Sequence, residues 1–249
     1  MLKVTLANSD VFKNSMGIIS EIIDEGVFKF DSNGLSLLAP DRTMVAVVDF
    51  KLPSSAFEEY LVPSPRDVGL NMANLFSVLK RIKGNDKLTL SLADGSNKLE
   101  ISVEKDNKRK FELPLIDIKM EKPPIDQLVF PARLDLDSAS LEEGIEDASI
   151  VSDSIVLEAN PDMFKLWAKG DISSSHLELA KGSNSLLALN VPQAIRARYP
   201  IDYLKKMVKA CKLTGQVAVE FGTDYPLRLA FKQIDKLNLS FILAPRVEE

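Results

Sequence analysis

The chain has 249 residues, 45% of them hydrophobic and 27% charged, with a formal net charge of −5. That length suits two medium domains with cores of their own, and that charge excludes a protein that coats nucleic acid by charge alone. Cys211 is the single cysteine and His176 the single histidine, so an internal disulfide and a thiolate metal cluster are excluded and no cofactor is expected. No apolar run reaches the roughly 18 residues of a membrane span. The N-terminal MLKVTLANSD lacks the basic and apolar regions of a signal peptide. A soluble, intracellular protein with no membrane contact is the expectation.

Leu2, Val4 and Leu6 alternate with Lys3 and Thr5, the pattern of a half-buried strand. Asn8, Ser9 or Asp10 can then cap a helix running to about Ile23, with Phe12, Met16, Ile19 and Ile23 on one face and Lys13, Gly17 and Ser20 on another. Strands over 27–30, 35–39 and 44–52 make a meander through the turn Ser32-Asn33-Gly34, and a short helical turn covers 54–60. After Pro63 and Pro65 come a strand at 68–71 and a helix at 73–83. Leu75, Val78, Leu79 and Ile82 of that helix point inward, while Ser77, Lys80, Arg81 and Lys83 point outward. Strands at 87–92, 98–104 and 109–115 close the first half.

The stretch PLIDIKMEKPPIDQLVFP, from Pro114 to Pro131, sustains neither a helical nor a strand period, and its prolines deny it a helix or a central strand. It reads as an extended connector, so the expected domains are 1–116 and 132–249 with a connector at 117–131. By composition alone the connector is a spacer. Beyond it the pattern gives a strand at 132–136, a helix at 138–151 and strands at 155–159, 163–168, 174–180 and near 196–199. A helix at 202–212 and strands at 216–221, 226–232 and 237–243 complete the chain.

The two halves repeat one pattern. A shift of 129 lays Asp24–Ala39 on Asp153–Ala168 without a gap, and a shift of 128 pairs Leu99, Ile101 and Val103 with Leu227, Leu229 and Phe231. Few residues are identical, so order and apolar pattern carry the duplication. The expected class is α+β: two duplicated domains, each with two helices side by side on one face of curved antiparallel sheets.

On the helix at 202–212, Leu204, Met207, Val208 and Cys211 face inward, leaving Lys205, Lys206, Lys209 and Lys212 outside. The shift of 129 places Lys80 on Lys209 and Lys83 on Lys212, so a lysine face recurs in both halves. A solvated amphipathic face is the plain explanation, and recurrence favours a phosphate-facing surface. No aromatic side chains interleave these lysines, so base stacking is not indicated. The helix at 138–151 is acidic instead, through Glu142, Glu143, Glu146 and Asp147.

The segments DSNGLSLLAPDRTMVAVVDF and LPSSAFEEY, DASIVSDSI at 147–155 and the terminal FILAPRVEE together resemble the proliferating cell nuclear antigen family, and most of all the archaeal DNA sliding clamps. The resemblance runs from residue 2 to 249. It implies a DNA-clamp fold whose three subunits close into a pseudo-sixfold ring with the helices facing the hole. It implies no catalysis, and a processivity factor in the archaeal cytoplasm, associated with the nucleoid, that encircles double-stranded DNA without sequence preference. Implied partners are a second and third copy or paralogues, DNA polymerase, the clamp loader, flap endonuclease and ligase, the clients binding through short peptide motifs. By position it turns Lys13, Lys80, Lys205, Lys206, Lys209 and Lys212 toward the duplex. It matches Arg81, Lys83 and Arg109 to basic residues of the subunit joint, and Glu143 and Asp147 to their acidic partners. It pairs the strand near 109–115, with Phe111, against a neighbour's strand near 173–181, with His176 and Leu179.

The same resemblance matches an apolar client pocket to Pro40, Met44, Val47, Pro123, Ile125, Pro226, Ile242, Ala244 and Pro245. Departures from the family pattern are Pro40, for a flexible or apolar residue, and Ile242, where an aromatic is common. Glu142 and Glu146 stand where many relatives carry neutral or basic residues, which fits one subunit of a heterotrimeric or checkpoint-like clamp. An α+β enzyme using the carboxylates of 142–147 is the alternative of another class. It lacks a nucleotide-binding glycine loop, metal-ligand spacing and a Ser-His-Asp set.

Overall fold

In the computed structural model, which describes residues 1–83, 86–119 and 121–246, the chain forms two compact units. The first holds most of the residues up to Pro123, and the second those from Pro124 to Lys232 and from Ser240 on. Two exchanges cross that division: 43–47 belongs with the second unit, and 233–239 with the first.

The first half runs β1 (Leu2–Leu6), α1 (Asp10–Ile19), β2 (Glu25–Asp31), β3 (Gly34–Pro40), β4 (Ala46–Pro53), β5 (Glu59–Leu61), β6 (Arg66–Asn71), α2 (Met72–Leu79), β7 (Lys87–Leu92), β8 (Lys98–Glu104) and β9 (Lys108–Pro114). The second runs β10 (Ala132–Asp137), α3 (Ser138–Val151), β11 (Ser154–Asn160), β12 (Met163–Lys169), β13 (Ser174–Ala180), β14 (Leu186–Asn190), β15 (Ile195–Pro200), α4 (Ile201–Met207), β16 (Gln216–Phe221), β17 (Leu227–Gln233) and β18 (Leu237–Leu243). Each half is therefore strand, helix, five strands, helix, three strands, the duplication expected with one further strand per half.

The added strands, β5 and β14, occupy the same place in the order. Each pairs antiparallel with the first strand of its half, Val4 opposite Tyr60 and Leu134 opposite Leu189. In the first unit the strands run β5-β1-β7-β8-β9 in one sheet and β4-β3-β2-β6 in another. In the second they run β13-β12-β11-β15 and β14-β10-β16-β17. The helices cover these sheets with their apolar faces: Phe12, Met16 and Ile19 of α1, Leu75 and Leu79 of α2, Leu141 and Ile145 of α3, and Leu204 and Met207 of α4 are all buried. Truncating a fully buried aromatic of these cores, such as Phe50 or Phe164, costs about 3–5 kcal/mol.

Local chemistry sets the helix ends. Asn71 Oδ1 accepts from Asn74 N at 3.0 Å, and Asp137 Oδ2 accepts from Ser140 N at 3.0 Å, each satisfying a free first-turn amide. At α1 it is Asn8 Oδ1 that accepts, from Asp10 N at 2.8 Å, while the Ser9 side chain makes no cap bond. This helix ends at Ile19, short of the expected Ile23, because tighter bonds such as Ile22 N to Ile19 O take over and still bury Ile23. The same tightening divides the helix expected at 202–212 into α4 and a 3-10 segment, Val208–Leu213. Gly17 lets α1 and α2 lie together, since a Cβ there would come within 2.9 Å of the Phe76 ring.

The start of the connector runs along β6. Ile116 N donates to Gly69 O at 3.0 Å, and a Cβ on Gly69 would stand 2.1 Å from Ile116 O. Farther on, Ile125–Gln127 makes one 3-10 turn. Met120 of the connector lies outside the described residues.

Candidate nucleic-acid interface and peptide pocket

Lysines crowd the C-terminal ends of α2 and α4, where a cation meets the negative end of the helix dipole. Lys80, Arg81 and Lys83 are exposed after α2, as are Lys205 in α4 and Lys209 and Lys212 in the segment that continues it. Lys206 differs. It is half-buried, with its ammonium 5.4 Å from the centre of the Tyr203 ring. Lys212 Nζ lies 3.5 Å from Glu142 Oε1, so the acidic α3 offsets the last of the four lysines. Lys13 is committed elsewhere: its Nζ donates to Ile82 O at 3.0 Å and sits 3.4 Å from Asp10, fastening α1 to the end of α2.

β9 and β13 are end strands of their sheets, each with a free edge there. On β9, Phe111 is half-buried and Arg109 bonds inside its own unit. Arg109 Nη2 donates to Asp86 Oδ2 at 3.1 Å, and Nη1 reaches Arg81 O at 3.5 Å. The Asp86 side chain is only 5% exposed, so this cation neutralises a buried carboxylate. On β13, Leu179 is buried and His176 is exposed, its ring stacked on Trp167 at 6.2 Å. Glu143, Glu146 and Asp147 are exposed along α3.

Seven of the nine candidate pocket residues fall in the second unit: Met44, Val47, Ile125, Pro226, Ile242, Ala244 and Pro245. Pro40, half-buried, and Pro123, buried, belong to the first. Within the second unit the C-terminal segment is held at both ends. Ala244 N donates to Val45 O at 2.9 Å, Arg246 N donates to Arg198 O at 2.7 Å, and Arg246 Nη1 lies 2.9 Å from Asp153. Met44 stands beside the first of these bonds with its side chain 70% exposed and its backbone at φ +60°. A left-handed conformation is costly for a residue with a Cβ, so this loop is held in place by its neighbours. Thr43 Oγ1 and Tyr203 OH share a hydrogen bond of 2.9 Å on its other side. The far end of the connector is anchored too: Val129 N donates to Tyr225 OH at 3.3 Å, Phe130 meets the Tyr225 ring edge-on at 5.8 Å, and the Arg228 guanidinium lies 4.4 Å over Phe130.

Burial, aided by Glu142, pushes the Cys211 thiol up to about 12, so it stays protonated near neutral pH. Among the described residues no three His, Cys, Asp or Glu side chains converge as metal ligands. A cavity of about 270 Å³ in the second unit is lined by Glu158, Met163, Lys165 and Arg196. Its charges are already paired, Arg196 with Glu158 at 3.4 Å and Lys165 with Glu178 at 2.7 Å.

Two family models match the chain from residue 1 to 246: proliferating cell nuclear antigen, N-terminal domain, over residues 1–124, and the C-terminal domain over 124–246. The chain belongs to the proliferating cell nuclear antigen family. It is 39% identical over 238 residues to the DNA polymerase sliding clamp of Thermococcus gammatolerans, covering 96% of this chain and 95% of that one. It is 37% identical over 247 residues to DNA polymerase sliding clamp 1 of Thermococcus kodakarensis, covering 99% of each. A crystal structure of PCNA from Thermococcus kodakaraensis superposes at a TM-score of 0.92 and 28% identity, covering 99% of this chain and all of that one. The PCNA2-PCNA3 complex from Sulfolobus tokodaii does so at 0.90 and 28%, again covering 99% of this chain. The family's α+β clamp fold is thus present in both halves, and its two domain models meet at residue 124.

Family membership gives the unexpected residues their interest. Tyr203, Thr43, Tyr225 and Asp86 hold a lysine, a loop, a connector and an arginine that the family resemblance singles out. Sequence periodicity shows neither the Thr43–Tyr203, the Val129–Tyr225 nor the Asp86–Arg109 pairing, because each joins positions far apart in the chain, whereas Tyr203 and Lys206 are i,i+3 neighbours on α4. The one available signal is the placing of tyrosines beside prolines and lysines, as in Pro200-Ile201-Asp202-Tyr203 and Tyr225-Pro226.

Proposed function

We propose that this protein is a DNA sliding clamp: a non-catalytic processivity factor that closes as a three-subunit ring around duplex DNA and tethers DNA polymerase and other replication and repair proteins. What carries the reading is the presence of both family domains in one chain, each with its helix pair covering its sheets and its lysines outward. A ring holds DNA by topology, so its inner face needs only weak contacts to phosphate, and lysine is suited to them as a solvated point charge. Lys80, Lys205, Lys206, Lys209 and Lys212 supply those contacts, with Lys13 supporting α2 from behind. The edges of β9 and β13 join neighbouring subunits, with Arg81 and Lys83 opposite Glu143 and Asp147. Such pairs contribute about 1 kcal/mol or less where exposed. Residues 117–131 serve as the interdomain connector, and within the second unit their 124–131 part, with the 43–47 loop and the C-terminal segment, receives the clients' peptide motifs.

Primer extension on a long, singly primed circular template, with a family DNA polymerase and clamp loader, tests this reading. The protein is expected to lengthen products at least tenfold under single-hit conditions. Product lengths unchanged by its addition would refute a processivity role.

A further inference from the structure

We infer that Tyr203 is a positioning residue that couples the peptide pocket to the DNA-facing lysines, so that a bound client peptide holds Lys206 back from phosphate. The inference rests on the sliding-clamp reading of both surfaces and adds a connection between them.

Tyr203 touches both surfaces with different atoms. Its hydroxyl shares the 2.9 Å hydrogen bond with Thr43, next to Met44, and its ring lies under the Lys206 ammonium at 5.4 Å. Thr43, Met44 and Val45 form one short loop in the second unit, and the Val45 carbonyl takes the amide of Ala244. An apolar anchor that settles against the exposed Met44 side chain must also settle this loop, whose backbone is already in a sparsely populated conformation at φ +60°. A settled loop keeps the Thr43–Tyr203 bond made and the ring in place. The ring in turn competes with phosphate for one ammonium. Lys206 is half-buried, with its ammonium over the Tyr203 ring. By linkage, whatever factor peptide binding takes from DNA affinity, DNA binding must take from peptide affinity.

The test measures affinity of the assembled protein for a short fluorescent duplex across a salt series, with and without a saturating synthetic peptide bearing one aliphatic and two adjacent aromatic anchors. Each phosphate contact adds about 0.9 to the salt slope. Peptide is expected to weaken wild-type DNA binding about threefold and to lower the slope by roughly one contact for each engaged subunit. Tyr203→Phe keeps the ring and removes the hydroxyl, and Thr43→Val removes the other partner while keeping the shape. In either variant, and no further in the double variant, the peptide should bind yet leave the DNA slope unchanged. Tyr203→Leu removes the ring and should raise the slope with or without peptide.

An equal peptide effect in wild type and Tyr203→Phe would overturn the coupling, as would no effect in wild type with peptide demonstrably bound. Failure of the peptide to bind wild type at all would instead overturn the pocket assignment, and this inference with it.

Discussion

Reversing Lys205, Lys206, Lys209 and Lys212 to glutamate is expected to leave assembly intact and to weaken binding to a short duplex by roughly a hundredfold at low salt. All four lie on the outer side of the α4 region, opposite the buried Leu204, Met207, Val208 and Cys211, so the substitutions remove no core contact. The structural losses are at Lys206, which gives up its contact with the Tyr203 ring, and at Lys212, whose half-buried partner Glu142 would face a new carboxylate. The effect on DNA is larger because four attractions become four repulsions. The salt slope should fall by as much as about four contacts for each subunit that engages the duplex. Size-exclusion mass and a melting curve check the first half of the expectation, and anisotropy across a salt series checks the second. Unchanged affinity at low salt would remove these lysines from the DNA surface.

Replacing Ile125 and Ala244 together with aspartate is expected to weaken client-peptide binding at least a hundredfold, that is by about 3 kcal/mol. Ile125 sits on the 3-10 turn Ile125–Gln127 of the connector, and Ala244 sits where the C-terminal segment is tied to Val45. Both are half-buried, so an inserted apolar anchor would desolvate two new carboxylates. The backbone bond from residue 244 to Val45 O survives the substitution, since it uses the amide. The loop therefore keeps its conformation, and DNA encirclement should be unaffected. Calorimetric titration with the peptide reads the loss. Unchanged affinity would place the pocket elsewhere.

Much of the fold was legible because two periodicities dominate it. Alternation in Leu2-Val4-Leu6 and in 216–221, and the helical spacing of Leu141, Ile145 and Ala148, place strands and helices where the structure has them. The helix at 138–151 and the strands at 174–180, 216–221 and 237–243 match residue for residue. β5 and β14 escaped for one reason in two places. Their strand state comes from pairing with β1 and β10, tens of residues away, and neither Glu59-Tyr60-Leu61 nor Leu186-Leu187-Ala188-Leu189 carries a local pattern of its own. Helix ends were misjudged where 3-10 bonding replaces α bonding without altering which residues are buried, as after Ile19 and after Met207.

For the candidate sites, residue type was the better guide and partner choice the poorer. Lysine spacing shows which side chains face out, yet it cannot show that Lys13 is spent on Ile82 O or that Lys206 rests on Tyr203. Arg109 is the sharpest instance. The family resemblance makes it a partner for a neighbouring subunit, and in the structure it compensates Asp86 of its own chain. Any role at a joint must therefore be shared with that buried carboxylate or exchanged for it.

The central claim is topological, and retention on closed DNA tests it most directly. After loading onto nicked circular plasmid, the protein should survive a wash at about 1 M salt, where phosphate contacts are screened, and should be released when a single restriction cut makes the plasmid linear. Loss of the protein from uncut circles in the wash, or its persistence after the cut, would contradict a ring that holds DNA by encirclement.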